Sequence, residues 1–139
     1  MSSHDQEPLS EREAFENGFW YFSESLEILA APAHVQCERM GNYNVAWELK
    51  DDVQAAGYLL QSPSSGRLSV EQRQGISNMV QSLDAIPAEV LVSCTTVEGN
   101  ALAMSRPCWV PIREQARLLL GVLAPAIDDC RRYLDGKQT

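Results

Sequence analysis

The sequence predicts a single all-α domain, a bundle of five to seven helices, and three observations carry that expectation. Apolar residues recur at spacings of three and four through most of the chain, as they do on helix faces turned to a core. Capping boxes, which satisfy free amides at helix starts, stand at Ser10 and Ser69. Pro32, Pro87, Pro111 and Gly41 fall where one periodic stretch gives way to the next. A chain of 139 residues without repeat, linker or low-complexity tract reads as one domain over 1–139, with residues 1–8 as a mobile tail.

The elements follow in order. Ser10-Glu11-Arg12-Glu13 opens a first helix whose stripe is Phe15, Phe19, Phe22, Leu26 and Leu29. Ala31-Pro32 ends it, because a residue before proline avoids helical dihedrals. A short helix from about Pro32 to Met40 stops at Gly41, a residue suited to positive φ. Asn42 or Asn44 caps the next helix, with Val45, Leu49, Val53, Ala56 and Leu60 facing inward. SPSSG at 62–66 is a loop by composition. Ser69-Val70-Glu71-Gln72 starts a helix with core residues Ile76, Met79, Val80, Leu83 and Ile86. PAEVLVSC, from Pro87, reads as a short helix, with Val90-Leu91-Val92 open to a strand reading. Thr95 to Arg106 reads as a loop with one helical turn. Pro111 opens the last long helix, with stripe Ile112, Ala116, Leu119, Leu120, Leu123 and Ile127, and Pro125 inside it is expected to kink or break it.

Charge narrows the function. The formal net charge is −8, and residues 1–31 alone carry seven acids against one arginine, whereas residues 101–139 are net positive. Such a surface repels nucleic acid and suits attraction of a basic protein. The polar, acidic start MSSHDQEPLSERE has neither the basic opening nor the apolar core of a secretion signal, and no run of about 18 apolar residues offers a membrane span, so a cytoplasmic location is expected. Cys37, Cys94, Cys108 and Cys130 form no CxxC pair and read as small buried residues. His4 and His34 have neither zinc-ligand spacing nor the companions of a catalytic triad, and no phosphate-binding or hydrolase motif is present. The chain is therefore expected to be no enzyme and to need no cofactor.

Two stretches remain as candidate sites. In GNYNVAWELKDDV (41–53), Glu48, Asp51 and Asp52 share one helix face, since residues three and four apart are neighbours. They offer either negative charge to a partner or, in the alternative reading, the carboxylates of a small helical metal-dependent hydrolase. In Phe19-Trp20-Tyr21-Phe22, the two phenylalanines belong to the core stripe, which turns Trp20 and Tyr21 away from it. Glu13, Glu16, Glu24 and Glu27 fall on Trp20's side, so Trp20 reads as a recognition anchor ringed by carboxylates, or as an aromatic covered by another segment such as the C-terminal region. In Ser105-Arg106-Pro107-Cys108-Trp109-Val110-Pro111, two prolines make a rigid helix entry, and Trp109 either wedges between helices, the favoured reading, or shows at the surface.

Taken together, MGNYNVAWELKDDV (40–53), IPAEVL (86–91) and SRPCWVPIREQA (105–116) resemble segments of bacterial immunity proteins of contact-dependent growth inhibition and related polymorphic-toxin systems. The resemblance runs from about Phe19 to Ile127. It implies a cytosolic, non-catalytic chain that neutralises one cognate toxin domain, often a basic nuclease, by covering its active site. It transfers no individual site residue. Charge and exposure instead select Trp20, Tyr21, Glu24, Glu27, Glu48, Asp51 and Asp52 as the partner-binding candidates, with neither direct nucleic-acid nor membrane contact expected.

Overall fold

The computed structural model describes residues 10–41, 43–61, 66–92 and 96–137. Within them the chain is all-α: α1 (Glu11–Ala30), α2 (Ala33–Met40), α3 (Val45–Leu59), α4 (Val70–Ser82), α5 (Ala88–Leu91), α6 (Val97–Met104) and α7 (Trp109–Lys137), with a single 3-10 turn at Leu83–Ala85. His4, Cys94, Asn42 and most of the SPSSG loop lie outside the described residues.

The helix ends are set by local chemistry. Ser10 Oγ accepts the Glu13 amide while the Glu13 carboxylate accepts the Ser10 amide, and Ser69 with Gln72 repeats the box at α4. Asn44 caps α3 by accepting the Trp47 amide at 3.2 Å. Gly41 closes α2 at φ +76°, a conformation that favours a residue without Cβ. At the end of α1, the Gln36 amide donates to the carbonyls of Ile28 and Leu29 at 3.1 and 2.9 Å. Its oxygen accepts from Arg113 at 2.9 and 3.2 Å, so one buried glutamine joins the end of α1 to α7.

The four long helices close a ring: α1 packs on α3 and α7, and α4 touches the same two from the far side. The core fills that ring with the expected stripes, among them Phe19, Phe22, Leu26, Leu49, Val53, Ile76, Met79, Leu119 and Leu123. Helices α3 and α4 meet closely at Gly57, where a Cβ would lie 2.5 Å from a Val80 methyl. The short α2 and α6 pair across one end.

Three expectations change. The stretch 95–106 holds a two-turn helix, α6, capped by Thr96 Oγ1 on the Gly99 amide, rather than a loop with one turn. Helix α7 starts at Trp109, placing Pro111 inside its first turn, where a missing N–H loses no intrahelical bond. Pro125 does not break α7. Its ring lies at an exposed position, and Leu123, Ala126 and Ile127 pack against the core on either side of it, which holds the helix through the loss of one bond. Residues 88–91 are helical, which closes the strand reading. Trp109 is fully buried, and its indole N–H donates to the Ala103 carbonyl at 3.0 Å, a wedge between α6 and α7.

Candidate protein-binding interface

The aromatic block of α1 is divided between its neighbours. Phe19 and Phe22 are fully buried. Trp20 turns toward α7 and Tyr21 toward α3, so two adjacent residues report on two different seams.

On the α7 side Glu13 and Glu16 both have cationic partners. Glu16 is 3 % exposed, not part of an open ring around Trp20; its carboxylate lies 3.2 Å from Arg12 and 3.9 Å from Arg67. It is buried because α7 covers this flank of α1, and the two guanidiniums replace the water it loses. Glu13 pairs with Lys137 at 3.4 Å. The Ser10 backbone amide, then Lys137, hold its carboxyl below the usual carboxylate range. Arg12 stacks over Tyr133 at 4.2 Å and Arg131 stands 5.8 Å over the Trp20 ring. Trp20 is thus half-buried against the core, on a groove of about 440 Å³ shared with Glu13, Arg131, Leu134 and Lys137. Cys130, beneath this seam, donates its thiol hydrogen to the Glu16 carbonyl at 3.3 Å; burial, with Glu16 beside it, pushes that thiol up to about 12.

The α3 side is different. Tyr21, half exposed, has Asp52, Asp51 and Glu48 of α3 as its charged neighbours. Burial first, then the three neighbouring carboxylates, raise the tyrosine above its ordinary value, so it stays a protonated donor. Glu48 is also raised, by loss of water and then by Asp52 and Asp51; Asp52 is raised by burial and by Asp51 against the opposing pull of the Tyr21 hydroxyl. Among the described residues no ion pair involves Glu48, Asp51 or Asp52. The one cation in their stretch, Lys50, turns the other way, to Gln54 at 2.9 Å and Asp84 at 3.8 Å, where Gln54 also bonds the Val80 carbonyl and Asp84.

The structure therefore brings together four of the seven candidates, Tyr21, Glu48, Asp51 and Asp52. Glu24, three residues on from Tyr21, and Glu27, seven on from Trp20, are exposed on the outer side of α1. Trp20 belongs to the opposite, self-compensated seam. His34 is exposed on α2. Among the described residues no three His, Cys, Asp or Glu side chains converge as a metal-holding group, so the acids of α3 have no such companions. No helix among the described residues is long and apolar enough to cross a membrane.

Sequence reading missed two features of this face. Trp47 is half exposed on α3, opposite the buried stripe, and the same helical-wheel argument applied to Trp20 places it there. Asn100 is buried and braces the start of α3, which nothing in the local pattern announces. No protein-family model matches the chain, and neither a curated protein nor a solved structure shows significant similarity to it.

Proposed function

We propose that this protein is an immunity-type inhibitor: it binds a cognate toxin domain, a basic nuclease, and neutralises it by covering its active site. The observation that carries this reading is the α1–α3 seam. There Glu48, Asp51 and Asp52 stand three and four residues apart on α3 beside Tyr21, with no ion pair among the described residues, while Lys50 turns away to Asp84 at 3.8 Å. Crowded carboxylates raise one another's proton affinity, and a cationic partner relieves that repulsion on docking. On the α7 flank of α1, Glu13 and Glu16 already have cationic partners, so an incoming basic surface gains more at the α3 seam than there.

Opposite charge acts mainly on the rate of encounter, and buried aromatic contacts hold the complex afterwards. Co-expression with the product of the adjacent upstream gene tests the proposal. Rescue of growth together with a co-purifying complex is the expected result; normal toxicity with no complex would overturn it.

A further inference from the structure

The outward ridge of α3 carries more than charge. Trp47, Asp51 and Tyr58 are spaced by four and seven residues, one line along the helix opposite the buried Val45, Leu49, Val53 and Ala56. Trp47 is 51 % exposed, Tyr58 61 %, and Tyr43, in the turn just before α3, 64 %. Large aromatics left open beside carboxylates give the composition of an interface: apolar anchors inside a polar rim.

The ridge is also held rigid at its start. Asn100, 2 % exposed on α6, accepts the Val45 amide at 3.1 Å and donates to the Tyr43 carbonyl at 2.8 Å. Asn44 accepts the Trp47 amide and donates to the Leu91 carbonyl at 2.6 Å. Three of these bonds fix the Tyr43–Trp47 turn to α5 and α6, and the fourth closes the turn on itself. A surface already fixed loses little conformational freedom when it binds.

We infer that this ridge is the docking surface for a basic protein segment laid along α3, whose arginine or lysine side chains sit between Trp47, Tyr58 and the carboxylates. This rests on the reading of the protein as a toxin inhibitor and supplies the anchors that reading lacks. Charge complementarity chooses the occupant. A guanidinium placed on Trp47 gains a cation–π contact and reaches Glu48 or Asp51 at once. A second copy of this chain would bring like charge to the same acids, and nucleic acid would be repelled. The ridge runs about 16 Å from Trp47 to Tyr58 at 1.5 Å per residue, the length of three helical turns of a partner.

The test uses the full chain and a 12-residue peptide with arginine at positions 1, 5 and 8, against its glutamate counterpart. Titration of isotopically labelled protein is expected to shift the amides of 43–58 with the arginine peptide and none with the glutamate one. Trp47→Ala is expected to weaken that binding at least fivefold with an unchanged circular dichroism spectrum, Trp47→Phe to retain most of it, and Trp20→Ala to change it less than twofold. Shifts centred on α7, shifts spread evenly over the acidic surface, or Trp47→Ala binding like wild type would overturn the inference. The toxin experiment separates the two claims. Docking on α3 without growth rescue sinks the inhibitor reading and leaves the ridge; rescue with crosslinks from the toxin mapping away from α3 sinks the ridge alone.

Discussion

Helix α1 is flanked by two seams of opposite character. Toward α7, acids and bases alternate: Glu13 meets Lys137, Glu16 meets Arg12 and Arg67, and Trp20 lies under Arg131. Toward α3, Tyr21 meets three carboxylates and no cation. The first seam is a fold-stabilising contact that a partner would gain little by touching. The second stores repulsion that the chain alone does not relieve. A protein shaped only for stability has no reason to leave such a face uncompensated, and the contrast, more than the total charge, marks where recognition belongs.

The sharpest way to break the comparison is to neutralise one acid in each seam. Glu16→Ala takes the buried carboxylate from between Arg12 and Arg67, whose own side chains are nearly half exposed. We expect a loss of about 2–4 kcal/mol, at or below the about 3–5 kcal/mol of fully buried pairs because both guanidiniums keep part of their water. In a domain of this size that is a fall of roughly 6–16 °C in Tm, read by thermal unfolding. A loss below about 0.5 kcal/mol would remove Glu16 from any account of the α7 seam. Next in size, Asn100→Ala strips the Val45 amide and Tyr43 carbonyl of a buried partner and should cost about 1–3 kcal/mol, with faster amide exchange at the start of α3 before the global transition.

Asp52→Asn should do the reverse of Glu16→Ala. The substitution keeps the side chain's shape while the repulsion from Asp51 and Glu48 disappears, so stability should hold or rise by up to about 0.5 kcal/mol. Chemical denaturation decides it, and a clear loss would mean that the α3 acids stabilise the fold.

Acid should separate the seams as well. Glu48 and Asp52 have folded values above their unfolded ones, so their burden is absent at low pH and grows as pH rises through the carboxylate range. Glu13 has a folded value below its unfolded one; its contribution is complete at neutral pH and fades as pH falls through that lowered value. Carboxyl-carbon NMR titration should therefore find Glu48 protonating before Glu13 on acidification, and Asp52 above the ordinary aspartate range. The same midpoint for all three would erase the contrast.

Much of this was legible in the sequence, for a local reason. Stripes such as Phe19-Phe22-Leu26 and Val45-Leu49-Val53, and the caps at Ser10, Asn44 and Ser69, depend on residues within a turn or two of each other. The acids of α3 were legible as a face for the same reason. What escaped depends on which helix lies beside which. That Glu16 is buried, that Lys50 reaches Asp84, and that Trp20 and Tyr21 serve different neighbours all follow from α1 sitting between α3 and α7. The buried bridge from Gln36 to Arg113 spans 77 residues of sequence, and neither partner's local pattern signals it. Trp47 was within reach, since its position opposite Val45 and Leu49 needs only the helical period.

The most direct measurement is the association rate with the proposed toxin partner at low ionic strength, for wild type and for the chain carrying Glu48→Lys, Asp51→Lys and Asp52→Lys together. If the α1–α3 seam steers a basic partner, the triple variant should associate at least about tenfold more slowly, with the difference shrinking as salt is raised. Equal association rates at low salt, in a variant that remains folded, would contradict the account.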